Sequence, residues 1–147
     1  MKSQIFCLKV ETHKAPEFID ITQSVQAFVE EACITCGSVT VFSRHTTASV
    51  KINENEPLLL QDMEHLLERI APRNGHYRHN DFSIRTVNMN MDECPNGHAH
   101  CQQLLLGTSE VIPIMEGTLQ LGRWQSLFLI ELDHPRSREV VVQVLGE

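Results

Sequence analysis

The stretch Cys94-Pro95-Asn96-Gly97-His98-Ala99-His100-Cys101 packs four potential metal ligands, two thiols and two imidazoles, into eight residues. These are the side chains that bind borderline-soft divalent ions, and a Pro-Asn-Gly turn at a helix start aims two histidines together. The paired Cys and paired His spacing of a structural zinc site is absent, so the segment marks something held without defining how. Other imidazoles sit in polar segments: His45 in His45-Thr46-Thr47-Ala48-Ser49, and His76 and His79 in His76-Tyr77-Arg78-His79-Asn80-Asp81. A lone histidine is more often a hydrogen-bonded structural residue than a ligand. His13, His65 and His134 read that way, His65 because it falls off the apolar face of its helix and His134 because it sits in a polar turn.

The scaffold that must position these groups fits one domain. The 147 residues, 41% hydrophobic and 21% charged, suffice for a single core, and residues 1–147 read as one globular unit. A net charge of −7 excludes the clustered Lys and Arg that nucleic acid or an anionic membrane would demand, leaving small molecules or further copies of the chain as partners. No apolar run reaches eighteen residues, and Met1 to Val10 is too polar for a signal peptide, which implies a cytoplasmic protein. Five cysteines, an odd number, suggest reduced thiols, with Cys7 and Cys33 in or near the core and Cys36 at a helix end.

Periodicity supplies the elements. Gln4 to Val10 alternates as a strand. Ile21, Val25, Phe28, Val29 and Ala32 then form one helical face, capped by Asp20 or Thr22 and ended by Gly37. Ser38 to Ser43 and Thr47 to Ile52 read as β-branched strands. In the second, Ala48, Val50 and Ile52 share one face, so His45, Thr47, Ser49, Lys51 and Asn53 make the other wholly polar. Pro57 opens a helix carrying Leu59, Met63, Leu66, Leu67 and Ile70, and Pro72 stops it. Arg73 to Gly97 is a long polar segment of the kind that carries function. A short helix from His98 to Leu106 closes at Gly107, and strands follow at Glu110 to Met115, Thr118 to Leu121, Gln125 to Leu132 and Glu139 to Leu145. This order predicts an α+β domain with a mainly antiparallel sheet, or two sheets, two main helices and one short helix.

With His45-Thr46-Thr47-Ala48-Ser49-Val50, Asn53-Glu54-Asn55, Tyr77-Arg78-His79-Asn80, Pro95 to His100 and Leu121-Gly122-Arg123-Trp124-Gln125 in this order, the chain resembles the YjbQ family, also called UPF0047, from about Ser38 to Glu147. The resemblance implies strands in two layers, a homotrimer, and a secondary thiamine-phosphate synthase activity. It places the family's histidines on His45, His79 and His100, which become the candidate centre for a divalent ion, zinc or magnesium. Three imidazoles leave a position open on such an ion for water or substrate. Glu54, Asp81 and Asp92 are candidate carboxylates for orienting rings or moving protons, with His79, Glu54 and Asp81 as the catalytic set. His98 is an alternative ligand, and Cys94 and Cys101 stand outside the first choice. Where many members carry Gly-Thr-Trp-Gln, this chain has Arg123, a guanidinium suited to a substrate phosphate. Thr47, Ser49, Asn53, Arg123 and Gln125 are the candidate substrate contacts, while Trp124 reads as packing.

The expected function is a small enzyme acting on a phosphorylated substrate. In the family's terms it joins a pyrimidine diphosphate to a thiazole phosphate and releases pyrophosphate, with Arg44, Lys51, Arg78 or Arg123 as positive groups near the departing diphosphate. The usual enzymes of that reaction are (β/α)8 barrels of roughly 200 residues or more, so a shared fold cannot supply the mechanism here. Two alternatives are a metal-dependent hydrolase of a small phosphorylated metabolite, with Glu54 or Asp81 taking a proton from bound water, and a non-enzymatic trimer that binds metal or metabolite.

Overall fold

The opening alternation runs the full length of an edge strand, β1 (Lys2–Glu11), in a computed structural model covering residues 1–147. β1 pairs with β8 (Ser137–Gly146), and β8 in turn pairs with β3 (Cys36–Ser43). β5 (Ser109–Met115) and β6 (Thr118–Leu119) complete a five-stranded sheet in the order β1-β8-β3-β5-β6. A second sheet of three strands runs β2 (Glu17–Asp20), β7 (Ser126–Glu131), β4 (Ala48–Asn53). Every pairing is antiparallel, which short loops permit and which the run of closely spaced strand signals requires.

The period of two fixes what lies between the sheets. Val39 and Val41 of β3, with Val140, Val142 and Val144 of β8, turn inward to meet Ala48 and Val50 of β4 and Leu127 and Leu129 of β7. Helix α1 (Thr22–Ala32) adds Val25, Val29 and Ala32 to this core. The intervening residues of β7, Phe128 and Ile130, point the other way and pack with Leu132 against Leu67 of α2 (Pro57–Ile70) and Ala99 of α3 (Gly97–Leu106). The domain is thus α+β, with two strand layers and a helical layer over the smaller sheet, as expected. Each fully buried Leu, Ile or Phe adds about 1.5–3 kcal/mol.

Several local expectations are corrected. Gly37 does not end α1: Cys33, in the left-handed conformation at φ 51°, does so. Gly37 instead sits in β3 because a Cβ there would meet the Leu145 carbonyl oxygen at 2.0 Å. The Glu17–Asp20 segment, assigned to no element from the sequence, is strand β2; it is too short to show a period and takes its ladder from β7. All five cysteines are free and exposed, so Cys7 and Cys33 are not core residues. β1 is an edge strand, and Cys7 lies on its outward side with Ile5 and Lys9. The polar face of β4 is buried at one end, where Thr47 and Ser49 lie on the side that the helical layer covers, and reaches solvent at the other, at Asn53. No helix is long and apolar enough to cross a membrane.

Candidate functional site

At one end of the sandwich, a buried ion pair ties the two sheets together. Arg138 of β8 and Glu131 of β7 are 2% and 0% exposed at their side chains. The Arg138 Nε and Nη2 donate to the two Glu131 carboxylate oxygens at 2.7 and 2.6 Å, and Nη2 also reaches Thr47 Oγ1 at 2.9 Å. Glu131 further accepts from the Thr12 hydroxyl at 3.1 Å and from the backbone amides of Leu132 and Asp133 at 3.1 and 3.0 Å. A charge pair this deep is tolerable only when its lone pairs and protons are met, and those of Glu131 are. Arg138 lines a pocket.

That pocket holds about 430 Å³ and is lined by thirteen residues, none of them apolar. The β3–β4 connection supplies Arg44 to Thr47, and the chain around β8 supplies Arg136 and Arg138. His79, Asn96 and His100 line it from the long polar segment and the start of α3, while Arg85, Asn88, Asn90 and Glu93 form a loop wall. Arg85 holds this loop. Its guanidinium pairs with Glu93 and donates to the carbonyls of Val87, Asn88 and His79.

Two of the expected histidines meet directly. His79 lies in a one-turn 3-10 helix (Arg78–Asn80), and its ring stands edge-on to that of His100 with centroids 4.6 Å apart. Two features fix this approach. Asn80 Oδ1 accepts from the Gly97 amide at 2.9 Å, and Gly97 lacks the Cβ that would meet Tyr77 Cβ at 2.6 Å. Glu93 Oε1 lies 3.9 Å from His79 Nε2, a nitrogen that is buried with no hydrogen-bond partner. Burial, with the nearby His79, pushes the His100 pKa below its usual value. The hydrogen bond from Arg85 holds the Glu93 carboxyl below the usual range, so it is ionised at neutral pH.

His45 lines the same pocket under a different constraint. Its Nε2 accepts the Glu139 backbone amide at 3.1 Å. Nowhere in the chain do three or more His, Cys, Asp or Glu side chains gather as a metal would require. The fit to a divalent ion is therefore partial: His79 has an orphaned nitrogen and His100 adjoins it, while the accessible lone pair of His45 is spent on the backbone.

The remaining candidates divide by place. Thr47 lines the pocket; Ser49 is fully buried beside it, its hydroxyl unpartnered. Asp81 is exposed and accepts from the Ser83 amide and hydroxyl at 3.0 and 2.5 Å, which makes it a turn-former outside the pocket. Asn53, Glu54, Arg123 and Gln125 lie near the far ends of β4 and β7, roughly 20 Å of strand from Thr47. There Gln125 accepts from the Gly122 amide at 2.7 Å, and Arg123 lies over the Trp124 ring at 4.6 Å. Of the proposed positive groups, Arg44 lines the pocket, Lys51 pairs with Glu110 at 2.7 Å, and Arg78 lines a neighbouring hollow with His79. His98 is buried in the first turn of α3 with neither ring nitrogen partnered, and Cys94 and Asp92 border an adjacent depression. Sequence reasoning missed Glu93, Asn96, Arg136 and Arg138. An arginine at the start of a Val-rich strand, Arg138-Glu139-Val140-Val141-Val142, was the available signal.

The antiparallel two-sheet sandwich with its helical layer is the fold of a class of small α+β proteins known from several solved structures. One, from Sulfolobus solfataricus P2 and described as a YbjQ-like protein of unknown function, superposes with a TM-score of 0.84 at 32% identity, covering 99% of this chain and 100% of that one. A Clostridium acetobutylicum structure of the yjbq/upf0047 family matches with a TM-score of 0.84 at 35% identity, over 95% and 99% of the two chains. A UPF0047 protein of Methanothermobacter thermautotrophicus is 40% identical over 140 residues, 95% of this chain and 90% of its own length. Residues 7–147 match the UPF0047 protein YjbQ-like family, and the chain belongs to it.

Proposed function

We propose that the chain is a small-molecule enzyme whose active site is this pocket, acting on a phosphorylated metabolite with the His79–His100 pair at the reacting end. The observation that carries the reading is the meeting of His45, His79 and His100, from three separate segments, on one wholly polar pocket. Structural histidines would not need to converge on open space. A divalent ion, zinc or magnesium, would be held by His79 and His100 and would supply Lewis-acid polarisation of a bound oxygen. Glu93, ionised and beside His79, is the carboxylate placed to orient that ring or to accept a proton from it. Asn96 Oδ1, a pocket acceptor that is buried with no donor, would take a hydrogen bond from the substrate.

Within this reading the finer activity is thiamine-phosphate synthase-like: joining a pyrimidine diphosphate to a thiazole phosphate with release of pyrophosphate. The arginines on the pocket wall support it, because departing pyrophosphate needs charge-assisted donors. A cytoplasmic setting and assembly into a homotrimer belong to the same proposal. Assembly is supported by the outward face of the larger sheet, where Ile5, Phe42, Val111, Met115 and Leu145 are all exposed. Contributions from Asn53, Arg123 and Gln125 would come from a neighbouring copy, since within one chain they lie at the far end of the sheet.

The test is turnover of the two phosphorylated substrates by the chain with zinc or magnesium, alongside His79→Ala and His100→Ala. Pyrophosphate release that both variants abolish while retaining the fold supports the synthase. Steady release of inorganic phosphate from simple esters without the thiazole acceptor would replace it with a hydrolase. Tight metal binding with no turnover across a substrate panel would replace it with a binding protein.

A further inference from the structure

We propose that the Arg138 and His45 side of the pocket is an oxyanion subsite that takes the phosphate group of a small phosphorylated ligand, with His45 donating from Nδ1 rather than ligating an ion. The proposal rests on the reading of the pocket as a small-molecule site and adds to it which residues grip the anion. It also removes His45 from the metal set.

A backbone amide can only donate, so the Glu139 N–H bonded to His45 Nε2 fixes that nitrogen as the acceptor. The neutral ring must then carry its proton on Nδ1. What the ring has left for the pocket is a donor, whereas a metal ion requires a lone pair.

Arg138 is in a matching position. Its Nε and Nη2 are committed to Glu131 and Thr47, and Nη1, with no acceptor in the protein, is the nitrogen it has left for the pocket that it lines. Arg136, also lining the pocket, pairs with Asp133 through Nη2 at 2.9 Å, while its Nε is buried with no acceptor. Three donors without protein acceptors therefore belong to residues that line one space. Two guanidinium nitrogens and an imidazole N–H suit a phosphate, which can offer each of them a separate oxygen. Both guanidiniums already carry a carboxylate partner, so their charge is compensated before a ligand arrives and the free N–H groups are held in place.

The experiment titrates inorganic phosphate, and separately zinc, into the full chain, read by side-chain nitrogen NMR and calorimetry. The expected result is a His45 ring protonated at Nδ1, with that nitrogen and the Arg138 guanidinium shifting as phosphate binds. His45→Ala and Arg136→Gln should each weaken phosphate by about tenfold, the worth of one charge-assisted hydrogen bond, and leave zinc affinity within about twofold. His79→Ala should do the reverse. Arg138 is left intact because its loss would strand Glu131 in the interior. The subsite is overturned if His45→Ala weakens zinc as much as His79→Ala does, or if phosphate moves neither group while zinc still binds at His79 and His100. Loss of both ligands from the parent chain would overturn the subsite and the small-molecule reading together.

Discussion

The imidazoles of His79 and His100 stand edge to face with centroids 4.6 Å apart, held there by the Asn80 side chain accepting the Gly97 amide. Burial, and then the adjacent His79, disfavour the charged form of His100. Substituting His79 by Gln should raise the His100 pKa, because it removes one cause of its depression and leaves only part of the burial. Histidine titration by NMR would check this; an unmoved His100 would show the rings to be uncoupled.

Gly97→Ala tests the positioning of the pair without touching either ring. A methyl group there would press on Tyr77 at 2.6 Å and drive the 3-10 turn from α3. Zinc affinity should fall by about tenfold or more, with the circular dichroism spectrum unchanged. Unaltered affinity would mean that the two rings do not act together.

Carboxylate roles can be separated by two amide substitutions. Glu93→Gln should lower activity by about tenfold or more, since it removes the charge beside His79 and the anchor of Arg85. Asp81→Asn, at an exposed turn, should leave activity within about twofold. Steady-state kinetics of both variants decides between them, and the opposite pattern would move the catalytic carboxylate to Asp81.

Glu131→Gln should cost about 3–5 kcal/mol, because it leaves the Arg138 charge buried and uncompensated. Gly37→Ala should cost about 3 kcal/mol through the collision with the Leu145 carbonyl. Urea denaturation measures both, and a loss below 1 kcal/mol in either case would show that the sandwich end adapts, since local relaxation is the only route to so small a cost.

Acid should destabilise the fold in a defined window. His45, His98 and His100 have folded pKa values below the usual 6.5, burial being the first cause in each. The unfolded chain therefore binds more protons than the folded one between the two values, and unfolding takes up protons. Stability should hold above the unfolded value and fall as pH drops through it toward the folded values. Melting temperature measured across that range checks the sign, and His98→Gln should flatten the slope.

Legibility in the sequence followed the strength of the local signal. The α2 face of Leu59, Met63, Leu66, Leu67 and Ile70, bounded by Pro57 and Pro72, located its helix to the residue. β2, with four residues and no period, depended on a partner far along the chain and was invisible. The histidines showed because imidazole is rare and chemically loaded. Arg138 did not, because a guanidinium inside a valine strand gains its meaning only from Glu131, which another strand delivers. Gly37 looked like a helix stop for the same reason: the Leu145 carbonyl that excludes a side chain there is more than a hundred residues away.

Arg85 grips the wall loop largely by its backbone, through the carbonyls of His79, Val87 and Asn88, with Glu93 as its single side-chain partner. Carbonyls are common to every residue type. The side chains of this loop other than Arg85 and Glu93 can thus be exchanged by mutation without unseating its path, which gives the scaffold a face on which ligand preference can drift while the imidazoles below stay where they are.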